Sequence, residues 1–219
     1  MIAAWPAPAG REEYAAAFDN GHAHRVLVLP ALFDEANKLR HFTIRTMRRL
    51  SAAGVDCLLP DLPGCNESLA PLEEQDLDAW RSDASAAARH FGATHVLCLR
   101  GGALIAPEGV GGWAYAPASG ASLLATLLRA RVLSAREAGR EENRQQLLDH
   151  GIAHGIELAG YRLGPAMVAQ LREALPASHL APIAQNEIGG AGLWLRAEPA
   201  CDTAQEDALA SLILAGLGR

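Results

Sequence analysis

The chain has 219 residues, half of them hydrophobic, and this is enough to bury a sizeable core; a single globular domain over residues 1–219 is expected. Its net charge of −6 gives no reason to expect a nucleic-acid partner. The four cysteines (Cys57, Cys65, Cys98 and Cys201) form no C-x-x-C pair, which disfavours a zinc ribbon or a thioredoxin-like site and fits a reducing compartment. The opening Met-Ile-Ala-Ala-Trp-Pro is too short and too interrupted for a signal peptide, and no apolar run approaches the ~20 residues of a membrane span, so a cytoplasmic protein is expected.

Residues 25–30, Arg-Val-Leu-Val-Leu-Pro, are a continuous apolar run, as in a strand covered on both faces. After a loop over 31–36, Leu39, Phe42, Met47 and Leu50 recur at helical spacing until Gly54. Val55–Leu59 is a second buried strand, ended by the turn signal Pro60-Asp61-Leu62-Pro63-Gly64. The next helix places Leu77, Trp80, Ala84, Ala87, Ala88 and Phe91 on an apolar face, with Glu73, Glu74, Asp76, Asp78, Arg81 and Asp83 largely opposite. Strand 95–99 follows. Strands alternating with helices predict an α/β architecture in three layers: a mainly parallel sheet with helices on both faces. Ligands in such folds sit beyond the carboxyl ends of the strands, which puts Pro30–Lys38, Asp61–Ser68 and Arg100–Gly102 around one mouth.

The second half is less regular. Trp113–Pro117 reads as a short strand, and Ser119 as the cap of a helix running to about Leu133. Residues 136–151 read as an exposed helix or a flap, and Ile156–Ala159 as a strand. Gly164-Pro165 opens a helix that Pro176 closes. Leu193-Trp194-Leu195 is the expected last strand. Thr203-Ala-Gln-Glu206 is a capping box for a final helix with Leu209, Leu212, Ile213 and Leu217 inward.

The most informative segment is Cys98-Leu99-Arg100-Gly101-Gly102. An apolar strand stops at a sharp, small-residue turn, as in the G-x-S-x-G elbow that lifts the nucleophile of α/β-hydrolases to the edge of the sheet. Here arginine stands where the serine belongs. Arginine stays protonated and carries donors only, so it cannot attack; beside free backbone N–H groups it favours an anion. The plainer alternative is a surface arginine at a strand end. The hydrolase histidine follows the last strand, yet the last histidine here is His179. Both members of a Ser–His couple are therefore missing from their places. Ser119 is more simply a helix cap, and Cys98 a core thiol. His22 with His24, and His150 with His154, read as surface histidines and not as metal ligands. No phosphate-binding glycine motif is present, and no cofactor is expected. The stretch from Phe33 to Arg40 concentrates Glu35, Asn37, Lys38 and Arg40 beside the sheet mouth; its plainer reading is a solvated helix start capped by Asp34.

Several segments together resemble one family. Leu29–Lys38 is similar to the P-F-x-E-E-x-N-K stretch of the exosortase A system-associated hydrolases of the second type. Leu59–Cys65 resembles that family's L-P-D-L-x-G-C/T, and Leu99–Leu104 its L-R-L-G-A-L elbow, which also carries arginine. Trp113–Arg131 and Ile156–Tyr161 resemble its W-x-P-x-x-G…L-L-R-x-R and E-x-A-G-Y segments. The likeness covers most of residues 25–175, departs at Ala31 and Ala36, and fades in the last third. It implies an α/β-hydrolase fold and a place beside bacterial exopolysaccharide and protein-sorting genes. The expected function is binding of a small anionic molecule, or an acyl or sugar-phosphate intermediate. Arg100 would clamp it, Lys38, Asn37, Gly101 and Gly102 would assist, and Glu35 and Asp61 would orient them. Two alternatives stand beside it. One is an ester or thioester hydrolase with Glu35 or Asp61 as base. The other is a non-catalytic scaffold for pathway proteins.

Overall fold

The computed structural model describes residues 1–218. Seven strands form the central sheet: β1 (Ile2–Pro6), β2 (Glu12–Phe18), β3 (Arg25–Leu29), β4 (Asp56–Pro60), β5 (His95–Leu99), β6 (Gly112–Tyr115) and β9 (Ala181–Ile183), in the order β1-β2-β4-β3-β5-β6-β9. From β4 to β9 the neighbours are parallel; β1 and β2 add an antiparallel edge. That edge has no clear signature in the sequence, because Glu12–Phe18 is alanine-rich and its alternation is weak.

The continuous apolar strands have the cause expected of them. Val26 and Val28 point to one layer, with α1 (Asp34–Ala52) and α7 (Thr203–Gly216). Leu27 and Leu29 point to the other, with α2 (Leu77–His90), α3 (Gly120–Glu137) and α5 (Pro165–Glu173). Between α3 and α5 lie α4 (Arg144–His154) and a small antiparallel ribbon, β7 (Ile156–Leu158) with β8 (Tyr161–Leu163). The 156–159 strand thus belongs to this ribbon and not to the main sheet. The exposed helix or flap expected over 136–151 divides into the end of α3, a loop, and the start of α4. No helix among the described residues is long and apolar enough to cross a membrane.

The expected last strand is corrected. Leu193–Leu195 is a single 3-10 turn, and the last strand is β9. Its Pro182 lacks an N–H, which an edge strand tolerates. The two caps also differ. Phe33, at φ 57°, precedes α1, so Asp34 is its first residue and not its cap. Asp202 caps α7, accepting from Ala204 and Gln205 N–H. Glu206 instead is fully buried and takes Arg45 Nε at 2.9 Å and Arg49 Nη1 at 2.8 Å, tying α7 to α1.

Asp83 overturns the face assignment of α2. It is 4% exposed and lies toward β2, beside the buried Glu13. Burial, and then the Glu13 charge, push its carboxyl up to about 6 from an ordinary value of 3.8. A folded-state value above the unfolded one favours the fold at low pH, and that contribution is lost as pH rises through about 6. Relative to Asp83→Asn, the wild-type chain is expected to lose up to about 3 kcal/mol of stability between pH 4 and 7.5. Urea unfolding of both proteins across that range measures it; parallel curves contradict the placement.

Candidate functional site

The segments that leave β3, β4, β5, β6 and β9 emerge at one end of the sheet and surround the elbow. Leu99 ends β5 in extended backbone; Arg100 turns to φ 52°, and a short 3-10 helix runs from Arg100 to Leu104. A non-glycine residue in this left-handed region costs about 1–3 kcal/mol and persists only where its surroundings hold it. Of the glycines beyond, Gly102 is required by its contact with backbone, and Gly101 is closely packed by side chains. A Cβ on Gly102 would lie 2.6 Å from the Pro30 carbonyl oxygen and 2.7 Å from that of Leu29. One on Gly101 would lie 2.6 Å from Leu123 Cδ1 and 3.1 Å from Leu32 Cγ. The backbone therefore makes the sharp strand-to-helix turn that the sequence frame implies.

The Arg100 side chain points inward and is 13% exposed. Its Nε donates to Glu35 Oε2 and its Nη2 to Glu35 Oε1, both at 3.0 Å, giving a two-pronged pair with the first turn of α1. Its Nη1 donates to the Ala116 carbonyl at 2.7 Å. The Trp194 ring covers the guanidinium, with Cζ 4.0 Å from the ring centroid. The elbow cation is thus held by α1, by the turn after β6 and by the loop after β9. Ala116 bends to φ 43° to present its carbonyl. Tyr115 packs edge-on to Trp194 and donates to Gln185 Oε1; burial raises its phenol, against the opposing pull of Arg100.

The other expected residues lie on the same rim with partners of their own. Lys38 Nζ sits 2.7 Å from Asp34 Oδ2, and Asn37 Nδ2 donates to the Tyr161 hydroxyl at 3.1 Å. Burial raises the Tyr161 phenol, with Asp34 and Cys65 adding to it and Asn37 opposing. Asp61 is 4% exposed, accepts from Asn66 Nδ2 at 2.7 Å and lies 3.6 Å from Arg40 Nη1. Burial raises its carboxyl, and the Asn66 bond and the Arg40 charge oppose that. A cleft of about 270 Å³ opens between these segments, lined by Phe33, Asn37, Leu62, Cys65, Asn66 and Tyr161; Arg100, Glu35, Lys38 and Asp61 lie outside its lining. Burial pushes the Cys65 thiol up to about 12 and that of Cys98 higher still, so neither is a ready nucleophile.

Among the described residues no serine hydroxyl is hydrogen-bonded to a histidine. Ser119 caps α3, its Oγ accepting from Ser122 N–H. His179 leads into β9 at the end of the strand opposite the elbow. Sequence reasoning missed Trp194, read as strand core, and Ala116 and Tyr161, which carry no local signal. Only a fold alignment placing 193–195 after the last strand would have brought Trp194 to the elbow.

The chain is similar over 100% of its length to the mouse alpha/beta hydrolase domain-containing protein 10, at TM-score 0.61 and 10% identity, covering 98% of that chain. The chain has the α/β-hydrolase fold. A putative hydrolase from Agrobacterium vitis S4 is similar at TM-score 0.52 and 17% identity, over 98% of this chain and 97% of that one. Against the Vigna radiata epoxide hydrolase VrEH1 the TM-score is 0.40 at 19% identity; 48% of this chain aligns, spanning 33% of that enzyme's length. No family model and no curated protein matches the sequence.

The Arg100–Glu35 pair should behave as a unit. Glu35→Ala strands a guanidinium and Arg100→Met strands a carboxylate; each is expected to cost about 3 kcal/mol. The double variant should lose less than the sum, by about 1–3 kcal/mol. Chemical denaturation of the four proteins gives the coupling, and strict additivity refutes it.

Proposed function

We propose that this hydrolase-fold chain binds a small anionic ligand at the sheet mouth without Ser–His chemistry. The inward, pre-paired guanidinium of Arg100 carries this reading. A strained backbone and contacts from one helix and two connecting segments hold a permanent cation where the fold usually presents a nucleophile. Glu35 already offers it the two oxygens that a ligand carboxylate or phosphate would offer. Only three of the five N–H groups of Arg100 are used. Binding is then an exchange in which the ligand anion takes the place of Glu35. Lys38, Asn37 and the Gly101–Gly102 backbone complete the rim, and the 270 Å³ cleft takes the body of the ligand. The resemblance to exosortase A system-associated hydrolases supports an acyl or sugar-phosphate intermediate, met in the cytoplasm of a bacterium that makes exopolysaccharide.

Thermal unfolding with acetate, inorganic phosphate, acetyl phosphate and a hexose 1-phosphate tests this. At least one should raise the Tm of the wild-type chain saturably. Glu35→Gln, which removes the competing charge, should bind about tenfold tighter, equivalent to about 1.4 kcal/mol. Arg100→Ala should lose the response. Stabilisation that survives in Arg100→Ala rejects the reading.

The buried, raised carboxyl of Asp61 favours a second reading, in which it activates water on an ester or thioester. Turnover of acyl-nitrophenyl or acyl-thioester substrates that Asp61→Asn abolishes and Arg100→Lys retains would establish it. Absence of turnover in the wild-type chain removes it.

A further inference from the structure

Five acidic side chains among the described residues are buried, and they divide into two kinds. Asp56 is met by Arg25 and His22, Glu206 by Arg45 and Arg49, and Asp61 by Asn66 and Arg40. Glu13 and Asp83 have no cation. Glu13, 2% exposed, accepts one hydrogen bond from Ser68 Oγ at 2.9 Å. Asp83, 4% exposed, has neither a hydrogen bond nor an ion pair among the described residues. Buried carboxyl groups are costly without a partner. Both of these line a cavity of about 360 Å³ between β2 and α2, separated from the elbow cleft by the loop that follows β4. Its other walls include Ala7, Pro8, Pro63 and Ala79.

We propose that this cavity is a binding site for a small organic ammonium ion, with Asp83 as the principal acceptor and Glu13 as the second. Two oxygen acceptors set into alanine and proline walls suit an N–H-bearing head with an aliphatic stem. They do not suit a bare metal: among the described residues no three His, Cys, Asp or Glu side chains stand together as a metal shell. The charged groups facing the pair are Arg11 from the turn before β2 and Glu74 from the 3-10 turn before α2, both exposed at the rim. Arg11 has no ion pair among the described residues, and its own guanidinium is the internal competitor for the site. A proton competes as well. Asp83 is largely protonated at pH 5 and largely ionised at pH 7.5, so amine affinity rises about tenfold between them.

Calorimetric and thermal-shift titrations of the full chain with n-butylammonium and 1,4-diaminobutane test the site. Tetramethylammonium, Mg²⁺ and Ca²⁺ serve as controls. At pH 7.5 a primary amine should bind saturably and raise Tm, while tetramethylammonium, which has no N–H to donate, should not. Asp83→Asn should weaken binding at least tenfold and Glu13→Gln by less, with Arg11→Ala retaining it. Asp83→Asn removes a buried charge, so its fold is expected to survive, and its urea midpoint verifies that. Silence of the wild-type chain, equal binding by Asp83→Asn, or a response to the divalent ions alone each overturns the proposal. Binding that appears only in Arg11→Ala also overturns it, since Arg11 would then be the native occupant.

Discussion

The architecture of the mouth depends on one ion pair. Arg100 stands at the sharp turn that follows β5, in a backbone region that costs a non-glycine residue about 1–3 kcal/mol. Two charge-assisted bonds to Glu35, one to the Ala116 carbonyl and a tryptophan face offset that cost. Because the partners come from α1, from the turn after β6 and from the loop after β9, the same contacts that hold the guanidinium also fix these segments to one another. A serine at this position would leave the largely covered Glu35 without its cation and Trp194 without the guanidinium it stacks on. The arginine is therefore part of the scaffold of the mouth.

The parallel half of the sheet is legible in the sequence because its strands are apolar on both faces. Val26-Leu27-Val28-Leu29 feeds two cores at once, and such a run has few alternatives. The helices with apolar residues at helical spacing, α1, α2 and α7, are legible from that period. The edges are not. β1 and β2 lean on short, alanine-rich segments, and β9 is three residues with a proline inside; their pairing is decided by the sheet they join. Leu193-Trp194-Leu195 reads like a strand because its residues are apolar, yet Leu195 is exposed and Trp194 serves Arg100.

The site is legible as a neighbourhood but not as a set of bonds. Arg100, Glu35, Lys38 and Asn37 do gather at the carboxyl ends of the strands, as the alternation of strands and helices dictates. Which acid meets which base is another matter, because it depends on a few ångströms of loop. Lys38 turns to Asp34 one helical turn away, while Glu35 reaches across the mouth. The inward side of α2 is easily misread because an isolated aspartate on an amphipathic helix ordinarily faces water. Asp83 faces Glu13 of β2 across a cavity, a long-range packing that no local pattern encodes.

The order of chain synthesis gives the α1–α7 tie a temporal meaning. The aromatic cover of the elbow, the last strand and the Glu206 anchor all lie beyond residue 180. They are synthesised after the strands that carry the elbow, at about 5–20 residues per second. Until then the nascent chain carries a half-built mouth, with Arg45 and Arg49 awaiting their acid and Arg100 open to solvent on one side. Completion of the mouth thus waits for segments that lie about 80 residues and more beyond the elbow they cover.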